Sequence, residues 1–401
     1  LLGPLLYRDF RLFLTGHFIS FTGSWIQTTA LHWLIYDLNK SSSELGLYSL
    51  LTGLPGVAFT LFAGFLIDRI STKRLIQLVL VLSLIPPFIF IALIEMEKFN
   101  FWLFLIPGLI ASFLSSIDMP TRQVLIGEIV PPRYLTQALS LQAFSFNSAR
   151  MFGPLIAGVI LAHSLVLCFW VNIISYLPFI IFTFMMKGGE SPKGKQKRLT
   201  FNKEINAFFQ FLLSRREILL LLLLVALFTV LATSIIILLP MIVHKHLNGY
   251  SKDFALLSSA VGIGAITGAL IVFISRKPDS EIWQILKAHL LWTLGIMGLI
   301  FSKSFPIYFI SLIFIGMAFT HFYPVANAMI QRRSNSEHKG KVMSLFTVAF
   351  IGTAPLGQFF IGLLSEIIEL KRLLLLVCLF LLVINLSIIN ILRKREKIYV
   401  P

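Results

Sequence analysis

The chain has 401 residues, of which 57% are hydrophobic and only 13% charged. Soluble proteins carry about 25% charged residues, so this composition excludes an ordinary water-soluble fold. The net charge of +16 does not point to nucleic acid either, because the basic residues are scattered over short segments between apolar runs.

About 20 apolar residues span a bilayer core of roughly 30 Å. Twelve runs of that kind follow one another, approximately at 12–36, 45–67, 75–94, 102–120, 136–162, 165–186, 217–243, 253–275, 284–301, 307–330, 341–365 and 372–392. The first run is too long for the apolar region of a cleavable signal, and no small-x-small site closes it. Spans nine and ten are divided only by a short hinge at Lys303 and Pro306. Between spans six and seven lies a Gly-, Ser-, Pro- and Lys-rich stretch that cannot bury apolar area and predicts a flexible tether. The expected layout is therefore a six-helix bundle over 1–186, a linker over 187–203, and a second six-helix bundle over 204–401. Phe201, Ile205, Phe208, Phe209 and Leu212 recur at helical spacing and predict an interfacial helix leading into span seven.

The two halves repeat each other. Gly268, Leu270, Lys277, Pro324, Ser344, Leu345, Phe350, Gly357 and Gly362 stand 204 residues after Gly64, Leu66, Lys73, Pro120, Ser140, Leu141, Phe146, Gly153 and Gly158. The glycines and the proline weigh most, because they mark backbone constraints. Duplicated helical units in the same order predict a transporter with its substrate site between the halves. With an even number of spans, 26 Lys and Arg fall on the side of the termini, seven on the other, and Arg150 lies within span five. The positive-inside rule places both termini in the cytoplasm.

Arg150 lies near the middle of span five, and no Asp or Glu occurs at comparable depth. An intramembrane charge costs at least ~2.5 kcal/mol unless it is partnered. Gln27, Asn147 and Gln358 are polar residues able to join Arg150 around a substrate. Either Arg150 meets an anionic group of the cargo, or helix carbonyls and amides satisfy it. Trp25, Trp33, Phe144 and Phe146 either line a cavity for a bulky amphiphile or pack the bundle. Pro154 and Pro355, with Gly153, Gly158 and Gly357 close by, mark kinks and close helix packing in spans five and eleven. Cys168 and Cys378 each sit inside a span and are expected as free thiols. No His pairs with another at metal-ligand spacing, so no metal site is expected; His32 and His321 are either proton carriers or structural. Neither a phosphate-cradling glycine loop nor a nucleophile elbow is present. The chain thus reads as no enzyme and as needing no cofactor.

The segment Gly64-Phe-Leu-Ile-Asp68-Arg69-Ile-Ser-Thr-Lys73-Arg74 resembles the loop signature of the major facilitator superfamily, Gly-x-Leu-Ala-Asp-Arg-x-Gly-Arg-Lys. Ser71 and Thr72 replace the signature's inner Gly and Arg, with Lys73 the substitute for the lost charge. The resemblance implies that Asp68 meets the start of span eleven near Lys341 and locks the outward-facing state. Asp118 and Arg122, four residues apart at the end of span four, either pair locally or join the Asp68 loop in the gating cluster that the family implies. Gly23-Ser-Trp25-Ile-Gln27, Asp118-Met-Pro120-Thr-Arg122-Gln123 and Asn147-Ser-Ala-Arg150-Met-Phe-Gly153-Pro154 are together similar to the bacterial branch of enterobactin exporters and macrolide-efflux proteins. Thr353-Ala354-Pro355-Leu356-Gly357 is similar to span eleven of that branch.

These resemblances imply an all-α membrane protein with twelve transmembrane helices in two pseudo-symmetric halves, the major facilitator fold. The function they imply is secondary active export of an amphiphilic siderophore or drug by alternating access, with lysophospholipid transport the alternative. Proton antiport, a bacterial inner-membrane location and a monomer surrounded by lipid are further expectations. Cysteines introduced in the 187–203 linker should react with an impermeant maleimide only from the cytoplasmic side, and one at Asn248 only from outside. Labelling of both from one side of intact vesicles would overturn the twelve-span arrangement.

Overall fold

A computed structural model describes residues 3–189, 215–274, 281–302, 304–334 and 339–399. The interfacial helix expected over 201–212 and most of the linker lie outside the described residues. Among those described, twelve helical runs and no strand occur. The first half holds α1 (Arg8–Asn39), α2 (Ser42–Arg69), α3 (Thr72–Glu95), α4 (Phe101–Ile129), α5 (Leu135–Leu161) and α6 (Leu165–Met185). The second holds α7 (Arg216–His246), α8 (Ser251–Ile274), α9 (Glu281–Phe301) and α10 (Phe305–Arg333). It ends with α11, made of Lys339–Thr347, a π turn Val348–Gly352 and Ala354–Ile367, and with α12 (Leu370–Tyr399). Among the described residues the protein is all-α, with the helix lengths and apolar composition of a membrane protein.

Local chemistry sets the helix ends. Lys40 leaves α1 in the left-handed region at φ 53°, and Ser41 then caps α2 by accepting the Glu44 amide at 3.1 Å. Asn100 caps α4 through the Trp102 amide at 2.9 Å. Within α3 the helix breaks at Ser83–Leu84, because Pro86 and Pro87 have no amide hydrogen for the carbonyls one turn before them. Ten runs, α3 to α12, contain a stretch long and apolar enough to cross a membrane. The expected spans 12–36 and 45–67 fall inside α1 and α2, which are 32 and 28 residues long. His17, Ser20, Thr22, Ser24, Gln27 and Thr28 make α1 the more polar helix.

The described residues form two compact units. One lies within Leu1–Lys195 and Pro240–Gly262, the other within Gln196–Leu239 and Ile263–Pro401. In the first unit α1 packs along α5 and α6, and α2 along α4. Phe10, Phe13, Leu80, Ile126 and Phe179 belong to one of its buried clusters. In hydrocarbon the hydrophobic effect gives no drive between helices, so close fit carries the association. The side chains facing outward are apolar as well, as with Ile174, Leu177, Ile181 and Phe184 along α6.

The repeat reappears as geometry. In the first unit Gly153 of α5 lies directly against Thr22 and Trp25 of α1; in the second, Gly357 of α11 lies against Val230 and Ser234 of α7. A side chain at either glycine would collide with backbone or Cβ atoms of the facing helix. The segment Pro240–Gly262 joins the first unit through another seam. Met151 and Gly158 of α5 meet Gly262 and Ala255 of α8, stepping seven residues in opposite directions along the two helices. A Cβ on Gly262 would stand 2.6 Å from the Met151 Cα. Trp33–Phe254 and Tyr36–His244 ring contacts, at 5.8 and 6.1 Å, complete this packing.

In the second unit α9 and α10 pack most extensively, and α12 lies on α7 and α9. α7 is irregular through its middle, with a π turn at Thr229–Thr233 and a 3-10 turn at Ser234–Leu238 ahead of Pro240. Gly357→Leu and Gly153→Leu should each lower the melting temperature of the purified protein, by on the order of 1–3 kcal/mol of stability. Gly127→Leu should not, because a Cβ there meets nothing within 4 Å.

Candidate functional site

The turn between α2 and α3 lies within the segment 64–74. Lys73, at the start of α3, is buried, and its Nζ donates to the Met186 carbonyl at 2.6 Å. That carbonyl ends α6, so Lys73 acts as a cationic C-terminal cap. The Lys73 amide donates to the carbonyl of Gly189, which sits in the left-handed region at φ 88°. Asp9 of α1 accepts the Lys187 and Gly188 amides, each at 2.9 Å. The start of the linker is therefore held to α1 and α3. Thr72 donates to Glu128 of α4 at 2.9 Å. Arg69 and Arg74 are exposed, Gly64 lies within α2, and the Asp68 side chain lies outside the described residues.

A second constellation lies inside the first unit. Arg122 of α4 is only 1% exposed. Its Nε donates to both carboxylate oxygens of Asp118, one turn earlier, at 2.8 Å. Asp118 thus makes the local pair, while the Asp68 side chain, on which the other arrangement depends, lies outside the described residues. Arg122 Nη1 reaches His17 Nδ1 at 3.2 Å and Ser20 at 3.3 Å, both on α1. A guanidinium only donates, so His17 Nδ1 accepts and the ring proton sits on Nε2. That nitrogen is buried and has no hydrogen-bond partner among the described residues. Phe21 of α1 and Phe179 of α6 each place their ring 4.6 Å from the guanidinium carbon.

Asp118 and Arg122 also border a cavity of about 190 Å³, with Ser24, Gln27, Ser83 and Tyr176 on its walls. Gln27 turns into this interior and accepts a 2.7 Å hydrogen bond from Asn172 of α6. At the repeat positions of Asp118 and Arg122 the second half has Phe322 and Ala326. There the second unit builds an aromatic cluster instead, with Phe228 stacked on Phe322 at 3.9 Å and Tyr323 on Phe350 at 4.1 Å.

Arg150 is half-buried on α5, with its guanidinium carbon 5.5 Å from the Trp25 ring of α1. Phe146, one turn before Arg150, meets Trp25 at 6.1 Å and Phe21 at 5.1 Å. Asn147 donates to the Ala143 carbonyl of its own helix at 2.9 Å. Thus Trp25, Phe146 and Arg150 come together, whereas Gln27 is turned to the interior cavity. Phe144 is exposed and Trp33 packs on Phe254. Gln358 is half-buried in the second unit, beside Gly357. Pro154 is buried within a continuous α5, and Pro355 begins the last part of α11 just after its π turn.

Residues 1–398 match the family described as transmembrane secretion effector. The staphyloferrin A transporter of Staphylococcus aureus is 23% identical over 374 residues, covering 90% of this chain and 91% of that protein. An uncharacterized major facilitator-type transporter of Bacillus subtilis, YttB, is 23% identical over 389 residues, covering 94% and 93%. Among solved structures, a mutant of the nucleoside transporter NupG superposes with a TM-score of 0.76 at 13% identity, covering 96% of this chain and 99% of that one. A D-xylose-proton symporter gives a TM-score of 0.71 at 15% identity, covering 94% and 97%.

Asp118→Asn should leave the Arg122 charge buried without its counter-ion and lower stability by about 3–5 kcal/mol. Combining it with Arg122→Met should recover much of that loss. Thermal unfolding of both proteins checks this; equal melting of the single variant and the parent would show that the pair is dispensable.

Proposed function

Because the chain belongs to the transmembrane secretion effector family of major facilitator transporters, we propose that it is a secondary active exporter of an amphiphilic, anionic small molecule, in the chemical class of siderophores or drugs. The placement of Arg150 beside Trp25 and Phe146 carries this reading. An arginine fork offers bidentate bonds to a carboxylate or catecholate, and the two rings offer apolar surface to the rest of the same ligand. The resemblance to a siderophore transporter along nine-tenths of the chain supports the cargo class.

Alternating access is the mechanism of this reading, with the segments 1–186 and 204–401 moving as bodies across the inner membrane and both termini in the cytoplasm. The α5–α8 seam supports it. Met151, Gly158, Ala255 and Gly262 meet through backbone and small side chains, a surface that can part without unmaking hydrogen bonds. Lys73, Glu128 and Asp9 serve the other end in this scheme, holding the bundle's edge and the linker start in one piece.

The test is cargo binding by Arg150 variants. Arg150→Lys should retain part of the affinity for an anionic cargo, because the charge survives while the fork is lost. Arg150→Gln should weaken that cargo by on the order of 1.5–3 kcal/mol and spare a neutral analogue. Equal loss for charged and neutral ligands, together with a lower melting temperature, would make Arg150 a packing residue.

A further inference from the structure

Away from the sites above, one surface of the first unit gathers arginines and holds them in place without acids. Arg8 and Arg11 are exposed on the first turn of α1, three residues apart and hence neighbours. Arg11 Nη1 is fixed by the Leu5 carbonyl at 3.1 Å. Arg133 comes from the turn before α5 and is also exposed. Its guanidinium carbon lies 4.8 Å over the Tyr134 ring. The Tyr7 and Tyr134 rings are 6.1 Å apart, which makes the three arginines and two tyrosines one continuous patch.

None of the three arginines has an acidic partner among the described residues. The acid between them in sequence, Asp9, is committed to the Lys187 and Gly188 amides. Fixing a guanidinium costs side-chain entropy, and here that cost is met before any anion arrives. The patch also stands at the ends of membrane-crossing helices, since the apolar run of α5 starts at Pro132. Beside it Leu6 is 75% exposed. Tyrosines of this kind favour the level of lipid headgroups.

We propose that this patch binds an anionic phospholipid, its phosphate held by Arg11 and Arg133 with Arg8 adding charge, and its acyl chains beside Leu6. A guanidinium pair suits phosphate because each fork can give two parallel hydrogen bonds. A lipid fits better than a soluble phosphate, because the exposed leucine and the tyrosines give the patch an apolar and interfacial side. The site is separate from Arg150 and does not depend on the cargo.

The experiment uses the full chain in neutral detergent, titrated with phosphatidylglycerol, phosphatidylcholine or glycerol 3-phosphate, and reads retained lipid by native mass spectrometry alongside the melting temperature. Phosphatidylglycerol should be retained and raise the melting temperature, with phosphatidylcholine and glycerol 3-phosphate doing neither. Arg11→Gln and Arg133→Gln should each weaken phosphatidylglycerol by about tenfold. Tyr134→Phe should bind like the parent, and so should Lys98→Gln, which removes an exposed cation elsewhere. If a Gln variant fails to fold, Arg133→Lys takes its place and should show intermediate affinity. Equal retention of phosphatidylcholine, undiminished binding by the arginine variants, or equal effect of glycerol 3-phosphate would each overturn the proposal.

Discussion

Arg122 is a full charge enclosed in the interior of a bundle built for hydrocarbon, and the arrangement of the first unit follows from keeping it there. Asp118 neutralises it from the same helix, while His17, Ser20 and Phe21 approach from α1 and Phe179 from α6. One side chain thereby ties three helices together. A purely apolar interface would tolerate sliding or rotation, since one greasy face packs nearly as well as another. A guanidinium has directional donors, and a shifted helix would leave them unmet at several kcal/mol. The pair therefore acts on register more than on net stability.

The second unit solves the same packing problem with rings. Phe228, Phe319, Phe322, Tyr323 and Phe350 interlock where the first unit has its ion pair, and Thr229 meets the Tyr323 hydroxyl at 3.0 Å. Aromatic pairs contribute about 0.5–1.5 kcal/mol beyond their buried area, without a charge to compensate. The duplication has kept the backbone rules, such as the close approach of Gly153 to α1 and of Gly357 to α7, and has let the polar chemistry diverge. The π turns of α7 and α11 lie beside the aromatic cluster.

Lys73 has an observed structural role: its side chain closes the end of α6, and its amide holds the first residues after it. The turn between α2 and α3 is thereby tied to the point where the chain leaves the bundle.

Much of the fold was legible in the sequence because its signals are local or periodic. Membrane-length apolar runs and the 204-residue repeat depend on residues near one another or on a fixed offset. The i,i+4 spacing of Asp118 and Arg122 made their pairing readable as one of two choices. What tertiary structure alone decided was which face of each helix turns inward and what it finds there. His17 and Arg122 are 105 residues apart, Thr72 and Glu128 are 56, and Lys73 and Met186 are 113. In a chain whose helices are apolar nearly all round, periodicity does not single out an inner face. Gln27 could thus be read toward a substrate while the fold turns it to Asn172, and Pro240–Gly262 could be assigned by sequence order while it packs on α1 and α5. Helix neighbours, not spacing, choose those partners, because a hydrogen bond or a close backbone approach exists only once two distant segments lie side by side.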